Sequence, residues 1–164
     1  MKKMISLLAC VIILFSLCAC GQENEDIQQP VNFYYCSEKI SYNSPTGVMK
    51  PEIREGIAFQ DKAQMLLREY LQGPRTPELV SPIPNGTKLT SFQISDNSAY
   101  IELSSDFASI SGIKLSTACC CIAMTVSEYT GCGTVYFRVE DGQLDNKDEI
   151  VLRVSDIIVI DELH

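Results

Sequence analysis

The sequence predicts a small α+β sandwich with a β-α-β-β-α-β core, in which two helices pack on one face of a mixed sheet. Three observations predict it. Ala63, Leu66, Leu67, Tyr70 and Leu71 recur at i, i+3, i+4, i+7 and i+8, which is one stripe of an α-helix. Leu115, Ala118, Cys119, Ile122, Val126 and Tyr129 make a second helical face. Between and after these helices, Ala99, Ile101 and Leu103, and then Val135, Phe137 and Val139, alternate with polar or tyrosine positions, as half-buried strands do.

Taken in order, Val31 to Cys36 (VNFYYC) is β-branched and aromatic and reads as the first strand. A turn cluster follows at Asn43-Ser44-Pro45-Thr46-Gly47. Residues 48–59 are ambiguous, because Pro51 argues against a central strand there. The first helix opens on Asp61 and Gln64, spaced as a capping pair, and closes on Gly73-Pro74. Burial of its five apolar side chains at about 2 kcal/mol each is worth roughly 10 kcal/mol gross, so this helix must lie on something.

The loop from Gly73 to Gly86 contains Pro74, Pro77, Pro82 and Pro84. Loops of this length in a compact domain are either functional or packed on themselves, and prolines fix their shape. The expectation is a rigid loop that faces a partner or subunit, with plain packing as the alternative. Lys88–Ser95 and Ser98–Leu103 then form a hairpin around Asp96-Asn97, residues that tolerate the positive φ of a tight turn. A connector spans Ser104–Gly112, and the second helix ends at Gly131. Thr134–Val139 is the last core strand, turned by Glu140-Asp141-Gly142. Gln143–Glu149 is acidic, and Ile150–Ile160 is apolar enough for one or two more strands. In a split βαβ order the first and last core strands would be antiparallel neighbours. Cys36 would then lie near Cys132, a candidate disulfide.

Composition narrows the functional classes. Hydrophobic residues at 46% with 21% charged describe a globular chain. The net charge of −8 leaves no electrostatic footprint for nucleic acid, and it repels an anionic membrane surface unless the protein is held there covalently. Such a hold is written at the N-terminus. Lys2 and Lys3 precede an apolar run that ends in Leu17-Cys18-Ala19-Cys20, the layout of a secretory signal whose end resembles a bacterial lipobox. An apolar run of about 16 residues spans about 24 Å as a helix, short of the roughly 30 Å hydrocarbon core. An uncleaved transmembrane anchor is the alternative. On the lipobox reading residues 1–19 are removed, a diacylglyceryl group on Cys20 supplies membrane attachment, and residues 20–31 are a polar tether.

The wording LLREYLQGP, then LVSPIPNGT, then AYIELSSDF resembles the GerMN domain of bacterial sporulation and germination lipoproteins. The resemblance continues through the second helix and VYFRVEDG, covering residues 32–142, and leaves 143–164 as a C-terminal extension, expected to form strand and pack on the domain. Pro51 and Arg54 match a short family segment carrying a proline and an arginine. The resemblance implies a fold related to ring-building modules, and a role in sporulation or spore germination.

Candidate chemistry is thin. Of eight cysteines, Cys10 and Cys18 leave with the signal and Cys20 is acylated, so Cys36, Cys119, Cys120, Cys121 and Cys132 remain. Five is odd, so at least one thiol stays unpaired. Successive helical side chains diverge by about 100°, so Cys119-Cys120-Cys121 cannot converge on one zinc. These cysteines read mainly as small apolar residues. Cys–His and Ser–His–Asp chemistry both need an imidazole, and the chain has one, His164 at its end. The acidic residues Glu140, Asp141, Asp145, Asp148 and Glu149 cluster as a solvated loop does and lack the spacing of a calcium site. Tyr34, Tyr100 and Tyr136 are outward-facing by alternation, either as sheet cover or as a ligand shelf.

The expectation is therefore a non-enzymatic, membrane-anchored lipoprotein on the outer face of the cytoplasmic membrane or in the forespore envelope. It would use no cofactor, metal or nucleic acid and would act as an interaction or scaffold module toward other envelope proteins or copies of itself. The alternative is an extracytoplasmic sensor for a small ligand or peptidoglycan. A concave pocket lined by tyrosines and acidic residues would favour that alternative.

Overall fold

The structure, a computed structural model, describes residues 30–38, 48–54 and 63–157. The leader, Cys20 and nearly all of the tether lie outside the described residues. So do the 43–47 turn, Asp61, residues 158–160 of the C-terminal apolar run, and His164.

The chain folds as β1 (Val31–Ser37), β2 (Met49–Arg54), α1 (Ala63–Tyr70), β3 (Leu79–Val80), β4 (Leu89–Ser95), β5 (Ser98–Leu103), α2 (Gly112–Thr130), β6 (Thr134–Val139) and β7 (Ile150–Arg153). Short 3-10 turns at Ser105–Ser109 and Val154–Asp156 complete it. The strands form two sheets, one ordered β2-β1-β3 and one ordered β4-β5-β6-β7. In the second, β5 and β6 are parallel while β4 and β7 pair antiparallel at the edges, so the sheet is mixed.

Alternation decides the two faces of the mixed sheet. Ala99, Ile101, Leu103, Val135, Phe137 and Val139 are buried, while Tyr100, Glu102, Tyr136 and Arg138 occupy the other face. Both helices reach this sheet, α1 at β4 and α2 at β6 and β7. The α+β class and the core order therefore agree with the sequence. α2 also packs along β1 of the three-stranded sheet, and so it buries Cys121, Ala123 and Thr125 besides the expected face of Leu115, Ala118, Cys119, Ile122 and Val126.

One expectation of neighbourhood is corrected. Both edges of β6 are taken by β5 and β7, and both edges of β1 by β2 and β3. The first and last core strands are therefore not partners, and Cys36 and Cys132 are both free thiols rather than a disulfide. The ambiguous 49–54 segment is a strand, placed at a sheet edge where Pro51 leaves no inner donor missing. The proline loop is not wholly irregular either, since Leu79–Val80 pairs with Cys36–Ser37.

The turns follow the residues. Gly73 closes α1 at φ 91° and Gly131 closes α2 at φ 75°, the left-handed region that costs glycine little. Asp96 takes φ 53° in the β4–β5 hairpin. Asn97 beside it accepts the Gly133 N–H on both its carbonyl and its Oδ1, each at 3.0 Å, which ties the hairpin tip to the start of β6.

Candidate functional site

The residues that shape a buried polar site come from β2, α1 and the proline loop. Glu52 and Arg54 are two apart on β2 and so share a face. The Arg54 side chain is 2% exposed and Glu52 5%. Arg54 Nε donates to Glu52 Oε1 at 2.7 Å, with Nη2 equally close to the same oxygen. Its Nη1 donates to Glu69 Oε1 at 3.1 Å, and Nη2 also reaches the Gly73 carbonyl at 2.8 Å and the Tyr35 hydroxyl at 3.3 Å. The guanidinium carbon sits 4.3 Å over the Phe33 ring. Every face of the buried cation is thus matched, as a buried charge requires.

Glu52 turns its second oxygen to the loop. Glu52 Oε2 accepts the backbone N–H groups of Arg75 at 2.8 Å and Thr76 at 2.7 Å. Burial alone would push this carboxyl upward, but the donors from Thr76, Arg54 and Arg75 outweigh it and hold Glu52 below its usual value of 4.5. Arg75 Nη2 closes the cluster on Glu69 Oε1 at 2.7 Å, at the exposed rim. One carboxylate and one guanidinium therefore fasten both the helix end and the first turn of the proline loop to β2.

Beneath the clamp lies an aromatic core. Tyr35 stacks on Tyr70 at 4.8 Å, and Phe33 meets both edge-on. Tyr35 donates to the Tyr70 carbonyl at 2.9 Å and Tyr70 to the Tyr34 carbonyl at 2.8 Å. Burial raises both phenols well above their ordinary values, so they stay neutral donors. The far part of the loop is pinned separately: Ile83 is buried, and the Thr87 hydroxyl donates to the Pro84 carbonyl at 2.8 Å. What remains exposed on the loop is Arg75, Pro77, Glu78, Val80, Asn85 and Gly86.

A second feature lies on the uncovered face of the mixed sheet. Tyr100 and Tyr136 face each other across the parallel β5–β6 register and stack at 4.6 Å with a 14° interplanar angle. They line a concavity of about 210 Å³ with Gln93, Glu102, Arg138 and Glu149. Arg138 Nε donates to Glu149 Oε2 at 2.7 Å. Tyr34, the third tyrosine expected to face outward, belongs to β1 in the other sheet and does not join them.

Of the sequence-predicted site residues, Cys36 and Cys132 are buried and apart in topology, and Cys20 lies outside the described residues. Cys36 lies instead on the side of β1 that packs along α2, where the neighbouring Cys121 lowers its thiol against burial. Cys119 is pushed up to about 12 by burial, in keeping with an apolar role. Among the described residues no group of three or more His, Cys, Asp or Glu is placed to hold a metal ion, and no helix is long and apolar enough to cross a membrane. The buried clamp was not foreseen. Its sequence signals are two charges sharing one face of an otherwise ambiguous strand and the family resemblance at Arg54.

Together the fold and the clamp define a small α+β domain with two helices on one face of a mixed sheet and a proline loop held by buried ions. Residues 32–145 match the Germane family, described as sporulation and spore germination, and the chain belongs to that family. No curated protein matches the chain. Among solved structures, the first GerMN domain of the sporulation protein GerM from Bacillus subtilis is similar with a TM-score of 0.56 and 14% identity, covering 73% of this chain and 91% of that one. The tandem GerMN domains of the same protein give 0.56 and 20%, covering 75% of this chain and 43% of that one. A candidate lipoprotein from Clostridium perfringens gives 0.51 and 20%, covering 79% and 89%. At these identities the likeness is one of fold.

Proposed function

We propose that this protein is a lipid-anchored, non-enzymatic interaction module of the cell envelope that serves sporulation or spore germination. Cys20 carries the anchor, the residues from it to the start of β1 at Val31 tether the domain close to the membrane, and residues 143–164 extend the GerMN-like unit. Family membership over residues 32–145 carries the reading. The clamp supports it physically, because buried charge is used here to fix the shape of a loop whose outer side chains remain free to meet another surface. Partners are other envelope proteins or further copies of the chain.

In-cell cross-linking of the tagged, acylated protein, followed by mass spectrometry, tests this. Self-ladders or envelope-assembly partners are the expected products. A clean monomer under conditions that trap known envelope complexes would count against it.

A second reading rests on the concavity at Tyr100 and Tyr136. Aromatic rings bordered by carboxylate, amide and guanidinium groups suit a glycan, so this face would take a peptidoglycan fragment. Soluble cell-wall fragments would then raise the Tm of the wild type and not of Tyr100→Ala. No shift at millimolar fragment would dismiss it.

A further inference from the structure

We propose that Cys36 and Cys121 form a redox-active dithiol, closing to an intramolecular disulfide by exchange with a small disulfide that enters through the cavity beside Cys36.

The placement comes from how β1 lies along α2. Asn32 Nδ2 donates to Glu128 Oε1 and the Tyr34 N–H donates to Thr125 Oγ1 at 2.9 Å, and the next step of the same register sets Cys36 against Cys121. Two residues advance a strand by about 6.8 Å, and three to four advance a helix by about 5–6 Å, so the three pairs stay in step. The third rung brings two free cysteines together. Cys120 and Cys119 sit roughly 100° and 200° around the helix from Cys121, which turns them away from β1. The pairing is also selective against Cys132, which lies at the entry to β6 in the other sheet.

A route from outside exists. Cys36 lines a cavity of about 250 Å³ together with Val48, Val80, Pro82, Lys114 and Thr117. Access assigns the roles, because Cys36 is the thiol that lines the cavity. The neighbouring Cys121 lowers the Cys36 thiol against the opposing effect of burial, while Cys36 and burial raise Cys121. Cys36 is thus the attacking sulfur and Cys121 keeps its proton at first.

The exchange balances. The Cys36 thiolate attacks one sulfur of RS–SR, the S–S bond breaks, and one RSH leaves with the proton Cys36 gave up. Cys36 then carries a mixed disulfide. Cys121 attacks the Cys36 sulfur, its proton passes to the departing thiolate, and the second RSH leaves. Two protein thiols are oxidised by two electrons, and one small disulfide is reduced to two thiols.

The test uses the folded full chain, reduced, desalted and treated with oxidised glutathione, then denatured with N-ethylmaleimide and mapped without reduction. Wild type, Cys119→Ser and Cys120→Ser should each lose two alkylatable thiols and yield a Cys36–Cys121 link. Cys121→Ser, which keeps a hydrogen-bonding hydroxyl, should stop at a glutathione adduct on Cys36, and Cys36→Ala should take up none at this site. Circular dichroism verifies that each variant is folded. The proposal is overturned if wild type keeps all its thiols, if it halts at the adduct, or if Cys36 links to Cys132, Cys119 or Cys120 instead.

Discussion

Arg54 is the residue on which the polar interior turns. A guanidinium only 2% exposed is tolerable because Glu52, Glu69, Tyr35 and the Gly73 carbonyl together satisfy its donors. Removing one partner strands the others, which is costlier than never having the pair. Glu52→Gln should therefore cost about 3 kcal/mol at pH 7, read by urea unfolding. The pH dependence has a definite sign. Glu52 is held below 4.5 in the folded protein, so its contribution is complete above that pH and is lost as the pH falls through the lowered folded value. Wild type and Glu52→Gln should thus converge in stability as the pH drops below 4.5; a constant gap would disprove the linkage. Little of this was readable beforehand. Arg54 stood out through family resemblance, but Glu69 lies fifteen residues further on and meets it only after α1 has docked. Side-chain convergence of that kind leaves no periodic trace.

At the scale of elements, local chemistry was legible and neighbour choice was not. The α1 stripe, the Asp96-Asn97 hairpin, the Gly131 stop and the alternation in β5 and β6 each depend on a few adjacent residues, and each is where it was expected. β3 has two residues, too few for any period, and β2 hides behind Pro51. Which strands pair is settled by long-range packing, and that is why β1 and β6 part into separate sheets. The acidic 143–149 segment shows the same limit. It reads as a solvated loop, yet Leu144 within it is 1% exposed and pairs with Lys147 across Asp145 and Asn146, both at positive φ. Asp145 Oδ2 accepts the Gly112 N–H at 2.9 Å, placing a carboxylate at the start of α2, where Ser111 makes no side-chain cap. Asp145→Ala should lower stability by about 1 kcal/mol. Leu144→Ala should lower it by about 2–4 kcal/mol, through the cavity it leaves. Equal, negligible losses in thermal melts would return this segment to the status of a solvated loop.

At the scale of the whole molecule, helices cover one face of the mixed sheet and the proline loop is fixed from beneath. If Cys20 carries the lipid, Cys20→Ala should move the protein from the detergent phase to the aqueous phase on Triton X-114 partition, with the domain's melting temperature unchanged. The central claim is that the clamped loop meets a protein partner. It is tested most directly by placing a photo-cross-linking amino acid at Glu78 or Val80 on the loop, and at Tyr100 on the open sheet face, in the anchored protein in living cells. The account predicts defined adducts from Glu78 and Val80, identified by mass spectrometry as an envelope protein or a second copy and confirmed from the partner's side, and their loss in Glu52→Gln. Adducts from Tyr100 alone, or from no position, would contradict it.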